Sequence, residues 1–214
     1  MRNIVKGAEP KSLEEYRCST GTFYDDYQDK PGLRESLVVE QRGLCCYCLS
    51  RISSDPQKMK IEHWQSQAQF PEHQLHYSNL LGACHGGGGG KPPKLQHCDT
   101  RKGNQAISLN PANIEHDVER PLRYNNDGTI GSADPIFDRE INEVLNLNLP
   151  LLKNNRKAIL RRFIQEVTRR DDWNDTQFQK QLAAWNGEAD NNNLKEYCQV
   201  VVYWLRKRLR KKLG

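Results

Sequence analysis

Apolar residues recur every three or four positions in several parts of the chain, which is the spacing of one face of an α-helix. The first run begins at Leu33 and predicts a helix that ends at Gly43, since glycine often terminates helices. Residues 149–167 predict a second helix, and residues 194–209 predict another near the end of the chain. Between these two, Asn174 or Asp175 can cap a helix that ends at Trp185.

Short strands are expected in two places. Residues 59–64, Met-Lys-Ile-Glu-His-Trp, predict one strand. Residues 122–124 and 129–130 predict a hairpin, because Asn-Asn-Asp-Gly between them is a turn-forming sequence. Residues 75–83 are expected to form a turn or a short helix, and the glycines at 86–90, followed by Lys-Pro-Pro, predict a flexible loop.

These patterns predict an α+β fold that is mostly helical and is organised in three regions. Residues 1–43 form an N-terminal segment and helix, which we expect to be available to a partner. Residues 44–110 contain five of the seven cysteines, and we expect this cysteine-rich region to contain the functional site. Residues 111–214 contain the hairpin and the C-terminal helices.

Composition and charge narrow the class of protein. Hydrophobic residues make up 36% of the chain and charged residues 28%. The longest apolar run has only six residues, at 200–205, and no apolar segment near the start is typical of a secretory signal. We therefore expect a soluble, cytoplasmic protein with no membrane contact.

The net charge of +5 is unevenly distributed. Residues 151–214 contain 15 Lys and Arg against 7 Asp and Glu, whereas the preceding 150 residues have a small acidic excess. A basic C-terminal third is suited to a polyanion or to an acidic partner, and the alternative is a surface that only promotes solubility.

The cysteines are placed as metal ligands are placed. Cys45 and Cys48 form a C-x-x-C pair, whose turn can direct two sulfurs at one tetrahedral zinc ion. Cys84 and Cys98 are the candidates for the second pair, and the glycine-rich loop accounts for the 13 residues between them. His85 or His97 can replace one sulfur, and the alternative to a structural zinc is a set of buried free thiols. Such a zinc would stabilise a segment that is too polar to form its own core.

Three further motifs lie among or after these cysteines. They are Ile-Glu-His-Trp with Glu62 and His63, Ser-Asn-Leu with Asn79, and Cys-Asp-Thr-Arg-Lys-Gly with Asp99 and Lys102. In this order they resemble the HNH endonucleases, and in particular the zinc-containing branch. Together with the opening Met-Arg-Asn-Ile-Val-Lys-Gly and the Gly-Leu-Cys-Cys-Tyr-Cys segment, they resemble the PtuB family of Septu and retron-associated anti-phage systems. The resemblance covers most of residues 1–110.

The resemblance implies a ββα-metal finger, knotted by zinc and flanked by the N-terminal and C-terminal helices. It implies His63 as the general base, Asn79 as the residue that orders the adjacent loop, and Asp99 in the third signature position, where His or Asn is more common. Glu62 takes the place of the acid that precedes the histidine. Adjacent residues of a strand point to opposite faces, so Glu62 and His63 share a site only where the strand ends or bulges.

The chemistry of these residues suits phosphodiester hydrolysis. A neutral histidine can deprotonate water at cellular pH, and carboxylates are hard ligands for Mg²⁺ or another divalent ion. We expect Glu62 and Asp99 to bind that ion and Lys102, with Arg101, to contact nucleic acid; for Lys102 the alternative is a solvated helix lysine.

The sequence therefore predicts a metal-dependent HNH endonuclease, with DNA as the expected substrate and RNA left open. The resemblance implies a toxic effector that acts with a PtuA-type ATPase and, in some systems, with a retron reverse transcriptase and its multicopy DNA. The alternative is a non-catalytic, zinc-stabilised protein that binds nucleic acid or serves as a scaffold. Cleavage of a polynucleotide with added Mg²⁺ discriminates between the two.

Overall fold

The computed structural model describes residues 1–88, 90–170, 173–188 and 193–210. Of these residues, 44% are helical, and two small antiparallel sheets complete an α+β fold, as the sequence predicts. No helix in the described part of the chain combines the length and apolarity needed to cross a membrane. Gly89 of the predicted loop and Lys211 and Lys212 of the basic C-terminal segment lie outside the described residues.

The N-terminal region contains helices α1 (Lys11–Arg17) and α2 (Lys30–Glu40). The side chain of Asp29 caps α2 by accepting a hydrogen bond from the backbone N–H of Gly32. The helix is followed by Gly43 in the left-handed region, at φ 73°, which confirms the predicted end. Leu33 and Leu37 are fully buried and form a small apolar cluster with other parts of the N-terminal half; its remaining members are Leu13, Tyr27, Leu75, Tyr77 and Leu80.

The central sheet is a pair of antiparallel strands, β1 (Lys60–His63) and β2 (Leu80–Ala83). The register places Lys60 opposite Ala83 and His63 opposite Leu80. The prediction of a turn or short helix at 75–83 was wrong for residues 80–83. All four residues of β2 are buried, so the strand lacks the polar–apolar alternation that would identify it in the sequence. A short helix, α3 (Cys98–Lys102), follows the loop after β2.

The predicted hairpin is formed by strands β3 (Leu122–Tyr124) and β4 (Ile130–Ser132). Beyond it, the buried guanidinium of Arg156 donates hydrogen bonds to the carbonyl oxygens of Gly128 and Leu147, at 2.6 and 2.7 Å. These bonds attach the hairpin turn to the helical region that follows it.

The C-terminal region consists of α4 (Pro135–Arg139), α5 (Pro150–Thr168), α6 (Asp175–Asn186) and α7 (Cys198–Arg210). Asn174 caps α6 by accepting a hydrogen bond from the N–H of Gln177. The last helix begins at Cys198, later than predicted, because Tyr197 has a left-handed φ of 53°. Shorter helical segments lie at Tyr24–Asp26, Pro71–His73, Tyr77–Asn79, Pro93–Leu95 and Glu140–Val144.

The C-terminal helices share one apolar core with the cysteine-rich region. Phe163 of α5 is buried in this core and makes edge-on ring contacts with Trp185 of α6 and Trp204 of α7, at centroid distances of 5.7 and 5.8 Å. The cysteine-rich region therefore packs on a helical body that has apolar content of its own.

Candidate metal centre and active site

Four cysteine sulfurs converge in the interior, as the sequence predicts: Cys45, Cys48, Cys84 and Cys98. All lie within 4.8 Å of one another, with Cys45 to Cys98 at 3.9 Å and Cys48 to Cys84 at 3.7 Å. Zn–S bonds of about 2.3 Å in a regular tetrahedron separate the sulfurs by about 3.8 Å. The four thiols therefore have the identity and the spacing of a tetrahedral metal site, and they can hold an ion such as zinc.

The local backbone explains why these cysteines meet. The first pair lies on a tight turn, closed by the N–H of Cys45 donating to the carbonyl of Ser50, at 2.9 Å. The N–H of Cys46 donates to the carbonyl of Gly82 in β2, which places this turn beside the end of that strand. Cys84 follows β2 directly, and Cys98 is the first residue of α3. The cluster thus joins the turn, the sheet and the helix.

The glycine-rich loop between the second pair is closed at its base. The N–H of His97 donates to the carbonyl of Gly86, at 2.8 Å, directly before Cys98. Both ends of the excursion are therefore held together although many residues separate them.

The two histidines proposed as alternative ligands take different positions. His85 is turned to the carbonyl of Pro56, at 3.0 Å from its Nε2. His97 is buried with Nδ1 at 3.2 Å from the sulfur of Cys98 and 4.0 Å from that of Cys84. Since four sulfurs already form a complete set, His97 is placed to hydrogen-bond a ligand sulfur.

Hydrogen bonds among the four thiols lower the pKa of Cys48, which favours metal binding. The hydrogen bond with Cys45 acts to raise the pKa of Cys48, but those with Cys84 and Cys98 lower it to about 6. The hydroxyl of Ser50 lies 3.1 Å from the same sulfur. Because the thiolate is the form that binds metal, Cys48 is favourably placed to act as a ligand at neutral pH.

Glu62 of β1 and Asp99 of α3 meet between the sheet and the helix, with their carboxyl groups hydrogen-bonded to each other. Burial, together with that bond and the charge of Asp99, raises the pKa of Glu62 well above its usual range. Burial also acts to raise the pKa of Asp99, but the hydrogen bond from Glu62 and the ammonium of Lys60 outweigh it and lower the pKa. The opposite shifts of the two pKa values mean that Glu62 takes up a proton at a higher pH than Asp99 does.

The expected contact of Lys102 with nucleic acid is corrected by the structure. Its ammonium is fully buried, 2.8 Å from Oε1 of Glu62, and donates to the backbone carbonyl of His63 at 3.1 Å. Lys102 is the last residue of α3, and its side chain turns back to the sheet because a buried carboxyl and a carbonyl accept its hydrogen bonds. It is neither a phosphate contact nor a solvated lysine. Arg101 is half-buried and donates to the carbonyls of Glu143 and Pro93.

The imidazole of His63 lies at the end of β1. Its Nε2 lies 3.0 Å from the carbonyl oxygen of Gln74, which can only accept, and 3.2 Å from the side-chain amide nitrogen of Gln67. The carbonyl favours the tautomer with the proton on Nε2 and the lone pair on Nδ1. The ring packs edge-on against Tyr24, with centroids 4.4 Å apart, and the side-chain amide of Gln67 lies 3.3 Å from Nδ1. Burial lowers the pKa of His63 to about 4, so the imidazole is neutral at cellular pH.

Asn79 ties together the segment that follows β1. Its Oδ1 accepts from the N–H of Gln65 at 2.8 Å, and its Nδ2 donates to the carbonyls of Gln65 and His73 at 3.0 and 3.1 Å. Its own carbonyl accepts from the N–H of Trp64. Every polar group of this buried amide is used to fix the backbone beside His63.

Glu62 and His63 project to opposite faces of β1. Glu62 is paired in register with Leu81, which belongs to the main core, and His63 with Leu80, which belongs to the N-terminal cluster. The two side chains therefore meet different neighbours, although β1 ends at His63. Lys102 is the link between them, since it contacts the carboxyl of one and the carbonyl of the other.

Four residues of the site were missed in the sequence. Lys60 is two positions before Glu62, so strand alternation places it on the same face, where its ammonium lies 3.0 Å from Asp99. Tyr47 lies inside the C-x-x-C turn, and its hydroxyl donates to Glu62 at 2.7 Å. Tyr24 and Gln74 are distant from His63 in sequence and carry no motif that would have identified them.

Comparison with known proteins assigns no family, since neither the protein-family models nor the curated proteins contain a match to this chain. A functional assignment therefore depends on the residues of the site and on the motifs that they form.

Proposed function

We propose that this chain is a metal-dependent endonuclease of the HNH type, which hydrolyses phosphodiester bonds of nucleic acid. The observation that carries the proposal is the approach of Glu62 and Asp99 between β1 and α3, where Lys102 and Lys60 lie 2.8 and 3.0 Å from their carboxylates. His63 is the next residue of the same strand, and its ring projects to the opposite face. A two-stranded hairpin and a short helix, joined by four cysteines, support the ββα-metal finger that the motifs imply.

His63 is the proposed general base. The hydrogen bond to Gln74 favours the proton on Nε2, so Nδ1 would accept a proton from a water that takes the place of the Gln67 amide, which lies 3.3 Å from that nitrogen. Burial keeps the imidazole neutral well below pH 7. Asn79 supports this role indirectly, because it fixes the backbone segment on which Gln67 lies.

Glu62 and Asp99 are the proposed ligands of a divalent ion, and their chemistry fits one. Tyr47 and Lys102 both donate to Oε1 of Glu62, so neither of them occupies Oε2. The interaction that raises the pKa of Glu62 and lowers that of Asp99 supports the close approach of two carboxyls that a divalent ion requires. Mg²⁺ bound there would stabilise negative charge on a phosphate and on its leaving oxygen.

The biological setting is proposed from the motifs alone. Their resemblance to the PtuB family supports a toxic effector in anti-phage defence, acting with a PtuA-type ATPase and, in some systems, with a retron reverse transcriptase and its multicopy DNA. Restraint by such partners is physically reasonable, because an unrestrained nuclease would damage the DNA of its own cell. DNA is the proposed substrate, and RNA is included in the test.

The test is cleavage of plasmid DNA, single-stranded DNA and RNA with Mg²⁺ or Mn²⁺, by the protein alone and with its co-expressed ATPase. His63→Ala should lower the rate by about 10²- to 10⁴-fold, since it removes the general base. His85→Ala is the matched control, because the ring of His85 contacts only the Pro56 carbonyl among the hydrogen bonds described for it. Zinc content and circular dichroism should be unchanged in both variants. Near-normal cleavage by His63→Ala, or no cleavage by the wild-type protein under any of these conditions, would contradict the proposal.

The competing function is a zinc-stabilised protein that binds nucleic acid without cleaving it. One observation favours it: His63 is only 9% exposed, with Tyr24 packed against its ring. Binding of nucleic acid without cleavage in the same assays would support this alternative.

A further inference from the structure

A basic groove lies between α7 and the strand β3. It has a volume of about 910 Å³, and one wall is a stripe of α7 formed by Tyr203, Arg206, Lys207 and Arg210. These positions are spaced as i, i+3, i+4 and i+7, so they share one face of the helix over about 10 Å. The other wall carries Arg120 and Arg123. Arg123 is the exposed position between two buried residues of β3.

Most of the positive charge in this groove is not neutralised by the protein. Five cations and two carboxylates, Asp117 and Glu119, line it. Glu119 pairs with Arg206 at 3.0 Å, and Asp117 accepts from the amide of Asn3. Within the described part of the chain, no carboxylate lies within ion-pair distance of Arg120, Arg123, Lys207 or Arg210.

A purely structural origin does not account for this charge. Cations in the last turn of α7 interact favourably with the helix dipole, which explains Lys207 and Arg210. Arg120 lies just before β3 and Arg123 lies within it, so neither receives this benefit; Arg123 donates to the backbone carbonyls of Arg120 and Leu122 but has no carboxylate partner among the described residues. Since a concave surface lined by one sign of charge concentrates the field, the groove is suited to a linear polyanion.

The groove also adjoins the region of the candidate active site. Asn3 lines it and also lines a second cleft, of about 630 Å³, whose walls include Trp64, Gln65 and Asn79. These three residues directly follow His63 or fix the backbone beside it. A linear polyanion that lies in the basic groove can therefore continue past Asn3 toward the end of β1.

We propose that this groove binds the phosphate backbone of nucleic acid and directs it toward the end of β1, where His63 lies. The inference rests on the proposed nuclease function, for which it names the residues that hold the substrate. Four unpaired cations that each engage one phosphate give a log–log salt slope of about −2.8 for a single strand and −3.6 for a duplex. Affinity from these contacts alone then falls about 50- to 150-fold between 50 and 200 mM salt.

The experiment compares two fourfold variants in a His63→Ala background, in which the nucleic acid stays intact. The groove variant changes Arg120, Arg123, Lys207 and Arg210 to Gln. The control variant changes four exposed cations elsewhere to Gln: Lys11, Lys157, Arg161 and Lys180. Both lower the net charge equally. Binding of labelled single-stranded and duplex DNA is measured by fluorescence anisotropy from 50 to 200 mM salt, with polyglutamate as a second probe and thermal melting as a check of folding.

The groove variant should lose about three units of salt slope, while the control variant keeps the parental slope. Equal losses in both would overturn the proposal, because only the net charge would then matter. Unchanged DNA binding with lost polyglutamate binding would also overturn it and assign the groove to an acidic protein. If DNA binding depends on the groove but the wild-type protein cleaves nothing, the groove stands and the nuclease proposal fails. If cleavage depends on His63 but DNA binding does not depend on the groove residues, the groove proposal fails and the nuclease proposal stands.

Discussion

The ammonium of Lys102 lies 2.8 Å from Oε1 of Glu62, and the two side chains are 0% and 2% exposed. This contact joins the last residue of α3 to β1, while Cys98, the first residue of the same helix, belongs to the sulfur cluster. A helix of five residues is too short to be stable by itself. Its first residue is attached to the sulfur cluster, and its last residue is attached to β1. The position of Asp99 relative to Glu62 therefore depends on the sulfur cluster at one end and on a buried cation at the other.

Lys102→Met should lower the free energy of unfolding by about 1 to 3 kcal/mol, because it removes the ammonium that donates to the buried carboxyl of Glu62 and to the carbonyl of His63. Lys94→Met, at an exposed position, should change it by less than about 0.5 kcal/mol. Urea denaturation gives both values. The double variant Lys102→Met with Glu62→Gln should recover part of the loss; additive losses would show that the two side chains do not interact.

Zinc analysis of the purified protein should find about one ion per chain. Cys45→Ala should remove the zinc and lower the melting temperature, because a closed cysteine site contributes directly to folding. Two controls separate metal binding from packing. Cys18→Ala, which is exposed, should change neither property, and Cys198→Ala, which is buried outside the cluster, should destabilise the protein but keep the zinc. Zinc retained in Cys45→Ala, or lost equally in Cys198→Ala, would contradict the assignment.

The sequence predicted the parts of the site that depend on local spacing. The C-x-x-C pair and the strand, predicted at 59–64 and observed at Lys60–His63, follow from patterns within a few residues of each side chain. The pairing of Cys84 with Cys98 was predicted from the glycine-rich loop that separates them. The direction of Lys102 could not be predicted, because its acceptors lie 39 and 40 residues earlier and become neighbours only when α3 packs on β1. Likewise, Tyr24 covers His63 through tertiary packing, which no spacing rule encodes.

The buried His63 should make stability depend on pH. Burial lowers its folded-state pKa from 6.5 to about 4, so between these values the unfolded chain binds a proton that the folded chain does not. The contribution of the neutral imidazole to the free energy of unfolding is therefore fully present above pH 6.5 and is lost as the pH drops toward 4. From pH 7.5 to 5.5 this group alone accounts for a loss of about 1.3 kcal/mol. Over the same interval, the free energy of unfolding of His63→Gln, measured by urea denaturation, should fall by that much less than the free energy of the wild-type protein. Zinc content is checked at each pH. Equal losses in both proteins would show that His63 is not responsible.

Gly86 and Gly88 provide a matched pair for testing how the glycine-rich loop supports the metal site. Both have a left-handed φ, of 58° and 68°, so alanine at either position costs about 1 to 2 kcal/mol in backbone strain. An added Cβ at Gly88 meets nothing within 4 Å, whereas at Gly86 it would lie 1.9 Å from the carbonyl oxygen of His97.

Gly86→Ala must therefore also displace the segment that leads into Cys98 and break the hydrogen bond from His97 to Gly86. We expect it to lower both the melting temperature and the zinc affinity, measured by competition with a chelator. Gly88→Ala should lower the melting temperature slightly and leave the zinc affinity unchanged. Equal zinc affinities in the two variants would mean that Cys98 is held in place without the closed base of the loop, by its own helix and by Lys102 at the other end.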